Sequence, residues 1–190
     1  MASTIAIIVV PSQGHHAEMF RSVAKIVNRK AYGGKAKIVY TKVTVSDTSP
    51  TMVEFFTLDG SAFSWADSHD LSTVVTISHG FSGDGPNLAY GLGDEHYQAW
   101  ESDPGGGLGA AGKDFWGQKV GKSLKSGGKI ILVGCFMGAG EYARNVAKVA
   151  GVKVYASTGL FAAANDETTL KHVKAIEHGK PIKPMVEAAP

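Results

Sequence analysis

Short apolar runs that alternate with helical patterns constrain the fold of this chain more than any other feature. The runs are rich in β-branched side chains and end at turn-forming residues; they cover residues 5–10, 37–45, 73–77, 129–133 and 152–156. Between them, apolar residues recur at the spacing of one helical face, over residues 16–28, from residue 115, and over residues 139–150. Strands that alternate with helices predict an α/β domain, with a mostly parallel sheet and helices on both faces.

Three other stretches are less regular. Residues 53–58 fit a hairpin or an edge strand, and the tail from Asn165 onward fits either a helix or paired strands. Residues 83–112 hold nine of the 24 glycines without sustained periodicity, as expected of a long functional or mobile loop. The glycines within residues 126–128 predict the end of the helix that begins near Phe115. With no repeat or linker in the sequence, residues 1–190 are expected to form a single domain.

The composition excludes several classes of protein. A chain of 190 residues with 44% hydrophobic and 19% charged residues can bury a hydrophobic core. This composition excludes an intrinsically disordered chain. The formal net charge of +2 argues against a dedicated binder of nucleic acid or of membrane surfaces. The run at residues 5–10 ends at Pro11, whereas a membrane span needs about 20 apolar residues. The chain is expected to be cytoplasmic as synthesised, although secretion without a signal would leave no trace.

The single cysteine, Cys135, follows the strand at residues 129–133, and His79 follows the strand at residues 73–77. Parallel strands end at the same edge of a sheet, where ligands bind in α/β proteins. A cysteine thiolate can attack a carbonyl group, and a histidine can take the thiol proton and pass it to the leaving group. A buried structural cysteine is the simpler interpretation of Cys135 alone, but its pairing with His79 predicts a catalytic site.

Glycines accompany both residues. The main-chain amides of Gly80 and Cys135 are expected to hold a developing oxyanion. Gly134 and Gly138 are expected to leave room for a substrate backbone. The helix predicted over residues 139–150 follows Cys135, and the exposed amides at its N-terminus would favour a thiolate.

The two strand ends, TVVTISHG at residues 73–80 and KIILVGC at residues 129–135, resemble the caspase-like cysteine peptidases. This group includes caspases, gingipains, clostripain, legumain, separase and the self-cleaving domains of bacterial toxins. Its members place His-Gly after one strand and Cys after the next, on a three-layer α/β sandwich. The interval of 56 residues is close to that of caspases, and the succession of elements after Cys135 is most similar to bacterial members.

The resemblance implies that Cys135 is the nucleophile, His79 the general acid/base, and the Gly80 and Cys135 amides the oxyanion hole. The caspase motif Q-A-C-[RQG]-G is absent, so a preference for aspartate is not implied. The predicted function is a cysteine endopeptidase that acts on a peptide or protein substrate. The alternative is a catalytically silent caspase-like domain that binds a peptide or a partner protein, and a nucleotide-binding flavodoxin-like domain is a third interpretation.

Candidate substrate contacts and metal ligands are less specific. Five acidic side chains could select a basic substrate residue, although each alone fits a solvated surface charge: Asp94, Glu95, Asp103, Asp114 and Glu141. Ser78 and Ser157, at strand ends, are further candidates. No cofactor or metal is expected; calcium is only a secondary option because no EF-hand spacing is present. The three tryptophans, Trp65, Trp100 and Trp116, are expected in the core or in a substrate wall rather than against nucleic acid.

Overall fold

Seven strands of this chain form one sheet with helices packed on both of its faces. The structure is a computed structural model, and it describes residues 4–10, 17–46, 49–80, 92–93 and 107–190. In chain order the elements are β1 (Ile5–Val9), α1 (Ala17–Tyr32), β2 (Lys37–Ser46), β3 (Ser49–Thr57), β4 (Leu71–Ile77), β5 (His79–Gly80), β6 (Leu92–Gly93), α2 (Ala110–Lys113), β7 (Leu124–Val133), α3 (Tyr142–Ala150), β8 (Lys153–Ser157), α4 (Asp166–Glu177) and β9 (Met185–Ala188). A π-helical segment, Asp114–Gly121, continues α2.

The strand order of the large sheet is β3-β2-β1-β4-β7-β8-β9. The five central strands run parallel to one another: β2, β1, β4, β7 and β8. At the two edges, β3 pairs antiparallel with β2 and β9 pairs antiparallel with β8. The predicted α/β class with a mostly parallel sheet is therefore confirmed. β5 and β6 form a separate antiparallel pair just beyond the end of β4.

Side chains of the central strands alternate between two cores, because successive residues of a strand point to opposite faces. The cluster on the α1/α4 face includes Val75 and Ile77 of β4 and Val133 of β7. The cluster on the α3 face, which also contains residues of the π-helical segment, includes Val74 and Leu132. Each such side chain contributes about 1.5–3 kcal/mol when it is fully buried. The helices predicted on both faces of the sheet are confirmed.

Most predicted elements are present, several with shifted ends. α1 continues to Tyr32, and Gly33 and Gly34, with φ of 61° and 78°, follow its end. The predicted hairpin at β2 and β3 is confirmed, and the ambiguous tail contains both the helix α4 and the strand β9.

Two local predictions were wrong. Residues 126–128 do not end a helix, because they lie inside β7 at a bulge. There Leu71 pairs with Leu124 while Thr73 pairs with Lys129, and Gly127 takes a φ of 75°. The glycine-rich stretch also does not run to residue 112 as a loop, since α2 begins at Ala110. Within the described ranges, every helix is too short or too polar to cross a membrane.

Candidate active site

His79 and Cys135 follow the carboxyl ends of two neighbouring strands in matching register. Ile77, the last residue of β4, pairs with Val133, the last residue of β7. His79 and Cys135 each come two residues after the last residue of their strand. Because side chains alternate, both residues are expected on the face that Ile77 and Val133 occupy. That alternation was readable in the sequence and is the signal that relates the two side chains.

The contacts of both side chains agree with this register. The His79 ring packs edge-on against the ring of Phe20 in α1, with 5.1 Å between ring centroids and 63° between the planes. Phe20 belongs to the core cluster of the α1/α4 face, and Cys135 packs against the same cluster. Both His79 and Cys135 are half-buried. The imidazole and the thiol therefore share one face of the sheet at adjacent strand ends.

The main chain of Gly80 lies directly against that of Cys135. A Cβ atom built on Gly80 would lie 1.7 Å from the Cys135 carbonyl oxygen and 2.5 Å from the Cys135 nitrogen. The amide of Ser78 donates to the Val133 carbonyl over 3.1 Å, which continues the contact between the two strands beyond the end of β4. Only a residue without a side chain fits at position 80.

The sulfur of Cys135 contacts both main-chain polar groups of Phe161. The Phe161 N–H donates to Sγ over 3.2 Å, and the thiol donates to the Phe161 carbonyl over 3.2 Å. A thiolate could keep the first hydrogen bond but not the second, because it has no proton to donate. Sequence reasoning missed Phe161; the signal available was its position shortly after β8, at the same edge of the sheet.

Phe161 is in turn held by a buried histidine. The rings of Phe161 and His172 pack edge-on with 4.9 Å between centroids. The Nδ1 of His172 lies 2.8 Å from the Thr168 carbonyl oxygen, and its Nε2 lies 3.2 Å from that of Lys183. These contacts link α4 to the segment before β9 and fix the ring on which Phe161 packs.

The prediction that Cys135 lies at a helix N-terminus was wrong. α3 begins at Tyr142, seven residues later, and residues 135–139 form turns. The amide of Phe136 donates to the Gly159 carbonyl over 2.9 Å, and that of Gly138 donates to the Ser157 carbonyl over 2.7 Å. Because these amides bond to the end of β8 and to the residues after it, they do not take part in helical hydrogen bonds. Phe136 also takes a φ of 56°, which is outside the range of a right-handed helix.

Neighbouring segments of the protein occupy the space where a side chain would stand at the two glycines near Cys135, Gly134 and Gly138. A Cβ on Gly134 would lie 2.7 Å from Cε of Met137 and 3.0 Å from the Gly80 nitrogen. A Cβ on Gly138 would lie 2.9 Å from the Ala156 carbonyl oxygen. The expectation that these glycines make room for a substrate backbone stays a prediction. Close packing of neighbouring segments explains why a side chain is excluded at both positions.

The candidate substrate contacts are dispersed. Ser78 and Ser157 are fully buried and offer a substrate no surface, and the Ser157 hydroxyl donates to the Gly159 carbonyl over 2.9 Å. Glu141 is exposed and pairs with Arg144 at 3.1 Å. Asp114, in the π-helical segment, pairs with Lys119 at 3.0 Å.

Other predicted residues lie outside the described ranges: Asp94, Glu95, Asp103 and Trp100. Trp65 and Trp116 are buried in the core on the α3 face, as predicted. In the part of the chain that the structure describes, no three His, Cys, Asp or Glu side chains group closely enough to hold a metal ion.

Comparison with solved structures gives a secreted C11 cysteine protease from Bacteroides thetaiotaomicron, "iotapain", at 12% sequence identity and a TM-score of 0.45; the match covers 87% of this chain and 56% of that one. A structure of a secreted C11 cysteine protease from the same organism, in complex with an irreversible peptide inhibitor, matches at 9% identity and a TM-score of 0.41, over 92% and 55% of the two chains. This chain thus spans little more than half the length of either.

No protein-family model matches the sequence, and no curated protein matches it significantly. At this degree of similarity, nothing about activity passes from the solved proteins to this chain.

Proposed function

We propose that this chain is a cysteine endopeptidase in which Cys135 is the nucleophile and His79 the general acid/base. The observation that carries the proposal is the close packing of Gly80 on the Cys135 main chain, where a Cβ atom would lie 1.7 Å from the Cys135 carbonyl oxygen. It brings the residue after His79 against the residue that bears the thiol. The shared packing of Phe20 and Cys135 in one core cluster supports the same pairing.

The reaction follows from the chemistry of the two side chains. His79 takes the thiol proton, and the Cys135 sulfur attacks the peptide carbonyl carbon. The tetrahedral intermediate collapses when His79 gives that proton to the leaving amine, which leaves an acyl group on the sulfur. Water, deprotonated by His79, then attacks the thioester and releases the carboxylic acid product together with the thiol.

Two features favour these steps. The Phe161 N–H donates to Sγ, and this hydrogen bond is compatible with a negatively charged sulfur. A Cβ atom built on Gly80 would lie 2.5 Å from the Cys135 nitrogen, so the main chains of the two residues adjoin, and an oxyanion hole is built from neighbouring main-chain amides. We assign the hole to these two amides.

The experiment is cleavage of a peptide library that varies the residue before the cut. We expect the wild type to cleave a subset of the library, and Cys135→Ala and His79→Ala to lose at least about 100-fold in rate. His178→Ala, which removes an exposed histidine at the end of α4, is the matched control and should cleave at the wild-type rate.

Undiminished cleavage by folded Cys135→Ala would refute the assignment. If the folded wild type cleaves no member of the library but retains peptides on an affinity column, the catalytically silent binding domain becomes the better description.

A further inference from the structure

We propose that a cavity beside Trp65 binds a small aromatic acid, that is, an aromatic ring system with one carboxylate or sulfonate group. The cavity has a volume of about 510 Å³ and lies between the β3–β4 connection and the π-helical segment. Its aromatic walls belong to the core cluster of the α3 face, whereas Cys135 packs on the α1/α4 face. The proposal is therefore independent of the proposed peptidase activity.

The aromatic wall of the cavity is closely packed. Three phenylalanine rings pack edge-on around the Trp65 indole, with centroid distances of 5.8 Å to Phe55, 4.8 Å to Phe63 and 5.9 Å to Phe115. The Ser123 hydroxyl donates to the Trp65 carbonyl over 3.0 Å and ties this residue to the end of the helical segment. A flat aromatic guest can pack against the exposed parts of Phe55, Phe63 and Trp65 without rearranging them, because the wall is already formed.

The small exposed area of the apolar lining favours a small molecule over a protein surface. Phe55, Phe63 and Trp65 are only 6–8% exposed although they line the cavity. These rings therefore present little apolar surface to solvent, which leaves no broad apolar patch for a macromolecular partner. The volume falls within the range of about 300–1,000 Å³ that is common for small-molecule sites.

The basic side chains that line the cavity favour a ligand with an acidic group. Lys119, Lys122 and His69 line it, and none of the described lining residues is acidic. Lys119 is paired with Asp114, whereas Lys122 forms no ion pair within the described ranges. A cation beside an apolar cavity favours a ligand that combines an apolar body with an anion.

The test is an NMR titration of the ¹⁵N-labelled protein with 2-naphthoate. The chain has three tryptophans, and Trp65→Phe identifies the indole N–H signal of Trp65. We expect that signal to shift saturably at submillimolar ligand. Lys122→Ala should weaken binding by about 2–5-fold, the range of an exposed charge pair, and uncharged 2-naphthamide should bind more weakly than 2-naphthoate.

Two control variants sharpen the test. Lys171→Ala removes an exposed lysine from α4, on the other face of the sheet, and should leave binding unchanged. Ala66→Trp adds bulk to an exposed lining residue and should abolish binding. Its urea-unfolding curve should match that of the wild type, which shows that the variant folds. Ser64→Trp replaces it if Ala66→Trp does not fold.

Four results would overturn the proposal. The Trp65 signal could fail to saturate up to several millimolar ligand, or a folded filling variant could bind as tightly as the wild type. Equal binding of 2-naphthamide and 2-naphthoate, or an unchanged affinity in Lys122→Ala, would refute the acidic ligand class.

Discussion

At the scale of single residues, Gly80 sets the tightest limit on the candidate site. Its conformation is not what demands glycine, since its φ lies outside the left-handed region; the close approach of the Cys135 main chain does. The contact is with backbone atoms, which cannot rotate away as a flexible side chain would. Any side chain at position 80 must therefore separate β4 from β7 just where His79 and Cys135 follow.

We expect Gly80→Ala to lower both stability and peptidase activity. Overpacking of this kind costs about 1–3 kcal/mol or more in the free energy of unfolding, and the displaced strand end should reduce cleavage strongly. Urea unfolding and the cleavage rate measure the two effects. Gly159→Ala is the control, because a Cβ there meets nothing within 4 Å. If Gly80→Ala behaves like Gly159→Ala, the close packing inferred at the site is wrong.

At the scale of elements, Glu177 connects α4 to α1 and to two strands. Its Oε1 accepts hydrogen bonds from the Tyr32 and Thr73 hydroxyls, each over 3.0 Å, and its Oε2 lies 2.7 Å from Nζ of Lys129. Burial, with the adjacent charge and hydrogen bond of Glu177, raises the pKa of Tyr32 far above its usual value. The tyrosine therefore remains a neutral donor to this carboxylate.

We expect Glu177→Ala to reduce the free energy of unfolding by about 1–3 kcal/mol, because it leaves three partly buried donors without their acceptor. Glu167→Ala, in the exposed first turn of the same helix, should cost only about 0.3–1 kcal/mol. Thermal unfolding of both variants measures the difference. Equal losses would show that the Glu177 contacts do not hold α4 in place.

The edge strand β9 carries a pH-dependent contact with β8. The Glu187 carboxylate lies 2.9 Å from Nζ of Lys153 and accepts the Tyr155 hydroxyl over 2.8 Å. The hydrogen bonds from Lys153 and Tyr155 lower the pKa of Glu187 below its usual 4.5. A lowered pKa in the folded state means that the ionised carboxylate stabilises the fold above pH 4.5, and that this contribution is lost as the pH falls through the folded-state pKa.

Acidification should therefore lower the thermal unfolding midpoint of the wild type more than that of Glu187→Gln. The comparison is a series of thermal melts from about pH 6 to about pH 3. Parallel pH dependence of the two proteins would contradict the contact.

The elements also show how far the sequence could be interpreted. The central strands and α3 were predictable, because each is specified by its own apolar pattern. The buried residues of α3 recur at the spacing of one helical face: Tyr142, Ala143, Val146, Ala147 and Ala150. The bulge in β7 and the turn after Cys135 were not, since both depend on pairing with distant segments, Leu71 in one case and the Ser157–Gly159 region in the other.

The candidate site, too, could be predicted from the sequence only in part. His79 and Cys135 could be selected because each follows a recognisable strand. The burial of Ser78 and Ser157 and the contact of Phe161 with the Cys135 sulfur could not, because they depend on how β4, β7 and β8 pack together.

At the scale of the whole molecule, the strand order assembles the site. β4 and β7 are neighbours in the sheet although the glycine-rich stretch and the π-helical segment separate them in the chain. This adjacency brings together two residues that are 56 positions apart. The opposite face of the same sheet carries the aromatic cavity, so one fold presents two separate candidate sites.

The pH dependence of Cys135 alkylation by iodoacetamide tests most directly whether His79 and Cys135 act as a pair. The chain has one cysteine, so the mass of the intact protein reports a single site. We predict that His79→Ala slows alkylation at neutral pH at least about 10-fold, while His178→Ala reacts like the wild type. An identical rate–pH profile in folded wild type and His79→Ala would contradict the pairing.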